Sequence, residues 1–349
     1  MKFIHLSHTD LDGYGCQLVT KEYFKDGLFY NANYGLEVKQ NIAKIVSFIE
    51  NNLDQDIFLL ITDLNLTLKE SRDLDNIITK LNNDGSSIKL QLLDHHLSGE
   101  ISSQKFEWYY LDTTRCATKI VYEYIVNEYN GFDDFTIKWL EPLVDVINAV
   151  DIWLDDDIEN FEFGKVCLGL IGKAKEINQL LFPDLNRDYK LFLLKQSTKY
   201  INKDKSNILL DNDIHTIKKS FLKLNQIDDT IDNLSAKRLV NSLEYEKNNL
   251  TIYYKSYKGL LTFTLGSISI PANEFLRLHV DYDFFMDVGR KGHVSLRANG
   301  NLDVSILSSK LCNGGGHKNA SGGKFEIFKD NSDYVSVKNF VQNKLNNII

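Results

Sequence analysis

Residues 5–15 read HLSHTDLDGYG, and this stretch decides how the first half of the chain is built. Around its start, KFIHLSH (2–8) has the apolar texture of a short β-strand. Past it, GYGCQLVTKEYF (13–24) reads as a helix. His8, Asp10 and Asp12 occupy alternate positions between the two, just ahead of Gly13 and Gly15. A strand end that runs through glycine into a helix is where α/β sheets place reactive groups. Two carboxylates and an imidazole crowded there need positive charge among them, and a metal ion supplies it. On this segment alone, an Asp-rich turn with an ordinary helix N-cap reads equally well.

The same pattern recurs twice. DIFLLITDLN (56–65) is a buried strand ending in Asp63, and SIKLQLLDHH (87–96) is a strand ending in Asp94, His95 and His96. Helical patterns separate them at 32–52, 68–84 and 116–129. Strand–helix alternation predicts a mostly parallel sheet flanked by helices. Parallel strands would bring all three acidic and imidazole clusters to one edge of that sheet. From about 136 to 245 the chain is mainly helical, and 214–243 has the look of a helical connector. From about 250 the texture turns β-rich and ends in the glycine cluster LCNGGGHKNASGGKF (311–325). The expected class is therefore α/β with two domains. An N-terminal mostly parallel sheet domain would occupy 1–200, a helical linker 201–248, and a smaller C-terminal α/β domain with a mixed sheet 249–349.

Composition narrows the classes. The chain has 349 residues, enough for two domains, and 43% hydrophobic residues, enough for real cores. No signal-peptide pattern and no stretch long and apolar enough to span a bilayer is present in the sequence. The four cysteines (Cys16, Cys116, Cys167, Cys312) are scattered and form no CxxC pair, which suits reduced residues of a cytoplasmic protein without a zinc site. The net charge is −8, unevenly spread: residues 251–349 carry 12 Lys and Arg against 8 Asp and Glu, and the rest 28 against 40. An acidic first part fits cation binding and a mildly basic second part fits an anionic substrate. The imbalance is too small for stable binding along duplex DNA.

The candidate ligands are His8, Asp10 and Asp12, then Asp63, then His95 or His96, and one carboxylate of DVINAVDIW (145–153), Asp145 or Asp151. Mixed carboxylate and imidazole donors suit Mn²⁺, and also Mg²⁺ or Fe²⁺. The set exceeds what one ion needs and fits two ions about 3.5–4 Å apart that share a bridging carboxylate. Each residue also has a structural reading: Asp63 as a helix cap, the histidines as half-buried hydrogen-bonding groups. Their recurrence at successive strand ends favours the metal.

HTDLDG at 8–13, TDL at 62–64, DHH at 94–96 and NGGGHKNASGG at 313–323 follow the order of the motifs of the DHH phosphoesterase superfamily, which the chain resembles over most of its length. The last segment is similar to the GGGH motif of the DHH-associated C-terminal domain. HTDLDG followed by AVDIW looks most like the oligoribonuclease branch, beside phosphatases of 3′-phosphoadenosine 5′-phosphate and cyclic dinucleotide phosphodiesterases. The resemblance implies that His8 and Asp10 hold one metal, Asp12 and His95 the other, with Asp63 bridging them. It implies Asp151 rather than Asp145 as a further ligand, His8 rather than His5 as the first, and His96 at the scissile phosphate.

In the glycine cluster, Gly314, Gly315 and Gly316 could adopt positive φ and offer successive N–H groups to a phosphate, with His317 as a further donor. Arg297, which ends a Ser–x–Arg strand, could grip a phosphate with paired hydrogen bonds; an ion pair with Asp303 is its alternative. The resemblance implies two-metal hydrolysis of short oligonucleotides, cyclic or linear dinucleotides or nucleotide 3′-phosphates to 5′-mononucleotides; members of the group often pair, so a homodimer is one option and the oligomeric state stays open. The alternatives are a single-strand-specific DNA 5′–3′ exonuclease of RecJ type and a nucleotide-sensing module without catalysis.

Overall fold

The computed structural model describes residues 1–225, 227–329 and 333–348. The chain divides into two compact units, the first holding Met1–Ala174 and Arg187–Ile217, the second Lys175–Asn186 and Lys218–Ile349.

In the first unit β1 (Lys2–Ser7), α1 (Leu11–Tyr23), β2 (Leu28–Asn31), α2 (Leu36–Glu50), β3 (Asp56–Thr62), α3 (Leu68–Asn83), β4 (Ser87–Asp94), α4 (Glu100–Ser103) and β5 (Tyr109–Leu111) alternate along the chain. They are followed by α5 (Ala117–Tyr129), α6 (Asp134–Asp151), α7 (Ile158–Gly172), most of α8 (Pro183–Ser197) and most of α9 (Ser206–Leu222). The strands run parallel in the order β2-β1-β3-β4-β5. The order reverses between β1 and β3, and in open parallel sheets that reversal opens a crevice outside the strands' C-terminal ends.

Both faces of the sheet are covered, which is why its strands read as near-continuous apolar runs. Ile4, Leu6, Leu59 and Ile61 pack against Val38, Ile45 and Ile49 of α2 and Leu74 and Ile78 of α3. Phe3, Phe58, Leu60 and Leu93 pack on the other face against Cys16 and Val19 of α1, Ile120 and Val121 of α5, and Leu140 and Val144 of α6. Two strands escape a sequence reading. β2 is four residues long and β5 three, too short for alternation to register.

The second unit contains α10 (Ile231–Leu250), β6 (Thr251–Tyr254), β7 (Tyr257–Phe263), α11 (Ser269–Leu278), β8 (Phe284–Val288), β9 (His293–Ala298), α12 (Val304–Cys312), β10 (Gly315–His317), β11 (Ala320–Lys324) and α13 (Tyr334–Asn346). Its sheet runs β10-β11-β9-β8-β7-β6 and is mixed, since β7 and β8 are parallel and the other pairs antiparallel. One face carries α12 and α13 through Val304, Leu307, Val337 and Val341. The other carries α10 and α11 through Leu239, Leu243, Phe275 and Leu276.

The segment 201–248 is divided between the units. α9 and α10 are separate helices, and α10 starts at an N-cap where the Thr230 hydroxyl accepts the Asn233 N–H at 3.3 Å. α10 is a packing layer of the second unit's core, so its apolar face belongs to that sheet.

His5 sits wholly inside the first unit. Its Nδ1 lies 2.8 Å from Thr20 Oγ1 and its Nε2 2.8 Å from Thr62 Oγ1, and Thr62 Oγ1 is in turn 2.8 Å from Ser7 Oγ. Burial, with a smaller push from the Arg187 charge, lowers its pKa to about 3. Between that value and about 6.5 the unfolded chain binds a proton that the folded chain refuses, so this contribution is complete above about 6.5 and is lost as pH falls. Denaturant titrations between about pH 6.5 and about pH 3.5 should show stability declining with acid, with His5 supplying up to about 1.4 kcal/mol per pH unit. His5→Gln, which keeps a hydrogen-bonding side chain and cannot titrate, should have a shallower slope over that interval. Equal slopes would exclude a neutral buried His5.

Candidate metal centre

The crevice at the β1–β3 reversal is where the chain gathers its acidic and imidazole groups. Asp10 is both the N-cap of α1 and a cluster member: its Oδ1 accepts the Gly13 N–H at 3.0 Å and its Oδ2 accepts His8 Nδ1 at 2.8 Å. The first turn of α1 presses against the loop that carries His8. A Cβ on Gly13 would fall 2.4 Å from the His8 carbonyl oxygen, so only glycine allows that approach. Asp12 is buried, and its two oxygens accept the Ala117 and Thr118 N–H groups at the start of α5, each at 2.8 Å. That pins the carboxylate at a helix N-terminus.

Asp63 follows β3 with left-handed backbone, φ 54°, which is strained for any residue but glycine and least so for Asn and Asp. Its Oδ2 lies 3.6 Å from His8 Nδ1, and its Oδ1 lies 3.4 Å from His95 Nε2 and 3.9 Å from His96 Nδ1. His95 Nε2 is also 3.6 Å from Asp12 Oδ2 and 3.5 Å from Asp151 Oδ2. Asp151 is the last residue of α6, and Trp153 closes that helix in the left-handed conformation, φ 61°, as the Leu154 N–H reaches the Ala149 carbonyl at 2.8 Å. Asp145 is elsewhere, accepting Lys119 Nζ at 3.1 Å.

Among the described residues, three donor sets have ligand atoms within 4.8 Å of one another: His8, Asp10 and Asp63; Asp12, His95 and Asp151; and Asp63, His95 and His96. Asp63 belongs to the first and third and His95 to the second and third, so the sets form one continuous patch. Asp63 Oδ2 and Asp151 Oδ2 are buried without a hydrogen-bond partner. Such oxygens are costly to desolvate, and divalent cations would satisfy them. The residues present fit such ions.

The electrostatics carry the same message. Burial, then the charges of Asp12 and Asp10, push the Asp63 carboxyl well above the usual carboxylate range, with His8 pulling back. Burial and the Asp12 charge raise Asp151 to about 8, against a smaller opposing effect of His95. Desolvation lowers His8, but its hydrogen bond to Asp10 and the nearby Asp63 carboxylate outweigh it and raise the imidazole to about 10. In the same way desolvation raises Asp10, while its bonds from His8 and Gly13 hold it down at about 2.

The two adjacent histidines diverge. His95 turns to the carboxylates. His96 donates Nδ1 to Asp94 Oδ1 at 2.8 Å, and Asp94 Oδ2 accepts the Tyr109 hydroxyl at 2.8 Å. The Asp94 bond raises the His96 pKa. Asp94 and Tyr109 were not among the candidate residues read from the sequence. Asp94 stood in plain view as the first letter of DHH, whereas Tyr109, on a three-residue strand, left no signal.

In the second unit the glycine cluster is a β-hairpin. Gly315 pairs with Gly322, Gly316 with Ser321 and His317 with Ala320, and Ala320 pairs in turn with Arg297. Of Gly314, Gly315 and Gly316, only Gly316 has positive φ, 146°, so the expected N–H nest gives way to strand pairing. A Cβ would strike Gly322 O at 2.1 Å from Gly314 and Ala320 O at 2.6 Å from Gly316, but from Gly315 it would meet nothing within 4 Å. Paired residues on neighbouring strands share a face, so Arg297, His317 and Gly315 lie on one face of the sheet. Arg297 donates to Leu296 O and Ser269 Oγ, each at 2.8 Å, while Asp303 caps α12 by accepting the Ser305 N–H at 3.0 Å.

These features can be set beside known proteins. No family model matches the chain. A 3′,5′-cyclic-nucleotide phosphodiesterase of Helicobacter pylori (strain ATCC 700392 / 26695) is 44% identical over 347 residues, 99% of each chain. A crystal structure of an uncharacterized protein from Helicobacter pylori G27 has a TM-score of 0.94 with 44% identity over 99% of each chain. Oligoribonuclease NrnB of Bacillus subtilis (strain 168) is 26% identical over 331 residues, 90% of this chain and 71% of that protein. The chain belongs to the DHH phosphoesterase superfamily. It is a phosphoester hydrolase of the α/β class, with acidic and histidine groups that could bind metal. No helix among the described residues is long and apolar enough to cross a membrane.

With His8 raised to about 10 and Asp151 to about 8, these donors carry protons at neutral pH that a cation must displace. Mn²⁺ affinity should therefore rise from about pH 6 to about pH 8.5, and calorimetry in buffers of different ionisation enthalpy should register proton release. Asp63→Asn should weaken Mn²⁺ binding about 10-fold or more, since loss of even an outer partner costs that much. Affinity independent of pH would show that these groups are not the ligands.

Proposed function

We propose that this chain hydrolyses the bond between phosphorus and a ribose 3′ oxygen in short nucleotide substrates, releasing 5′-mononucleotides with the help of two divalent cations, Mn²⁺ foremost and Mg²⁺ or Fe²⁺ as alternatives. The observation that carries the reading is Asp63: one oxygen faces His8 and the other faces His95. A carboxylate so placed is shaped to be shared, with His8 and Asp10 on one side and Asp12, His95 and Asp151 on the other. Bound there, such cations supply an activated water and neutralise charge on the phosphoryl oxygens.

The remaining work falls to the chain's own groups. His96, whose bond to Asp94 favours its charged form, presents Nε2 to a phosphoryl oxygen, where charge grows as the P–O bond breaks. No side-chain nucleophile is required, and the four cysteines are all buried. Arg297 and His317, on one sheet face with the open backbone at Gly315, would hold a phosphate that is not cleaved. The names of the two relatives, a cyclic-nucleotide phosphodiesterase and an oligoribonuclease, agree on a ribose phosphodiester. Substrates that offer this bond include pApA, pGpG, 3′,5′-cyclic nucleotides, cyclic dinucleotides and 3′-phosphoadenosine 5′-phosphate. The full donor set favours catalysis over a nucleotide-sensing role.

The test is this panel assayed with Mn²⁺, with Mg²⁺ and after chelation, with products separated by chromatography. The expected outcome is 5′-mononucleotides from at least one member and no turnover after chelation. Turnover that survives chelation, or release of 3′-mononucleotides, would overturn the reading. Arg297→Ala should raise KM about 10- to 100-fold with kcat nearly unchanged, the scale of a lost charge-assisted hydrogen bond. Gly315→Val, at a position where a side chain meets open space, should leave the melting temperature in place and raise KM.

A further inference from the structure

One aromatic side chain reaches the centre from a loop that the sequence did not mark. Tyr34 lies between β2 and α2, and its neighbours tie that loop to the strand end carrying His8. The Ala32 N–H donates to Ser7 O at 3.0 Å, and Asn31 Nδ2 donates to His8 O at 3.1 Å. Asn33 donates from its N–H and Nδ2 to Glu37 Oε2 at 2.9 and 3.0 Å, and its Oδ1 accepts Thr9 Oγ1 at 2.6 Å. The Tyr34 ring packs against His8, with centroids 4.9 Å apart, and its hydroxyl lies 3.5 Å from His96 Nε2. Yet Tyr34 is 46% exposed, so it is not a core residue. It stands between two imidazoles from different strand ends, open to whatever enters.

We propose that the Tyr34 hydroxyl is a second hydrogen-bond donor to the phosphoryl group under attack, acting beside His96 Nε2, and that Tyr34 is a catalytic residue of this centre. This rests on the phosphodiesterase reading above. His96 commits Nδ1 to Asp94, and its Nε2 makes a long 3.5 Å contact with the Tyr34 hydroxyl that a substrate oxygen can replace. Two donors 3.5 Å apart suit two oxygens of one tetrahedral phosphoryl group. The hydroxyl reaches its acceptor by turning one C–O bond, so little reorganisation is needed. An ordinary phenol keeps its proton at neutral pH, so the hydroxyl can donate. Donors aimed at developing charge bind the transition state more tightly than the ground state. A base stacked on the ring is the competing role; the hydroxyl's position beside His96 favours the donor.

The experiment compares wild type, Tyr34→Phe and Tyr34→Leu as full-length Mn²⁺-loaded protein. It measures kcat and KM on the dinucleotide that wild type cleaves, Mn²⁺ affinity, and inorganic phosphate affinity by calorimetry. Tyr34→Phe should lower kcat about 10- to 100-fold with KM within about threefold and Mn²⁺ affinity unchanged. Tyr34→Leu should show at least the same kcat loss. Wild-type kcat in Tyr34→Phe overturns the proposal, and if Tyr34→Leu alone raises KM, the ring stacks a base instead. Loss of Mn²⁺ affinity in step with kcat overturns it too, because Tyr34 would then act through His8. Should wild type cleave nothing in the panel, the phosphodiesterase reading falls by itself. Phosphate affinity then decides the donor: about a 10-fold loss in Tyr34→Phe supports it and no change rejects it.

Discussion

A carboxylate cut off from water, with one oxygen unpaired and further carboxylates beside it, is costly for a fold to hold. The first unit is arranged around such a group. Asp63 is 1% exposed, sits in left-handed backbone, and has burial and the charges of Asp12 and Asp10 pushing its pKa upward. His8 alone does not relieve it: that imidazole already donates to Asp10 at 2.8 Å and stands 3.6 Å from Asp63. Like charges at this spacing cannot all remain ionised without a counter-charge. The arrangement is therefore poised either to keep protons or to exchange them for cations, and the raised Asp151 and His8 pKa values are the same tension seen from the neighbouring residues.

Such tension persists only where the surroundings leave no escape. Here they are rigid. Asp12 cannot turn away because two N–H groups at the start of α5 hold both its oxygens. Asp63 is tied to the neighbouring strand β4, since its N–H donates to Leu93 O at 3.1 Å. Gly13 lets α1 close against His8, and a Cβ on Gly15 would fall 2.3 Å from Thr118 Oγ1, which brings α1 against α5. His96 is aligned by Asp94, and Asp94 by Tyr109. The reactive edge therefore inherits its precision from the parallel sheet and the helix termini that abut it.

What could be read from the sequence follows from this dependence. The first-unit strands that end in candidate ligands were legible because burial on both faces makes them apolar runs, and the acidic and imidazole groups stood at their ends. His8 could be preferred to His5, and the structure puts His5 among Thr20 and Thr62 inside the core. Asp151 lies in the cluster and Asp145 on Lys119, a distinction that rests on which side of α6 each occupies. Tyr34 was not legible. It follows β2, a strand too short to show a period, and its loop is fixed by Asn33, Glu37 and Thr9, whose bonding no spacing announces. The helical texture of 201–248 was visible, but whether α10 connects or packs depends on a tertiary face that one helix's sequence does not reveal.

The glycine cluster shows how one composition admits two geometries. Consecutive glycines can curl into a nest of N–H groups, or they can let strands approach more closely than side chains permit. Here Gly314 and Gly316 are used for the second purpose, since their missing Cβ atoms leave room for the carbonyls of Gly322 and Ala320. Gly315 has no such neighbour, so its lack of a side chain serves no packing need. β10 is also the edge of its sheet, and an edge strand turns alternate N–H groups away from its partner. A phosphate could meet backbone donors along that edge and the Arg297 and His317 side chains on the shared face. Strand register would thus offer by pairing what a nest offers by loop curvature, and substitution at Gly314 should damage the hairpin where substitution at Gly315 should not.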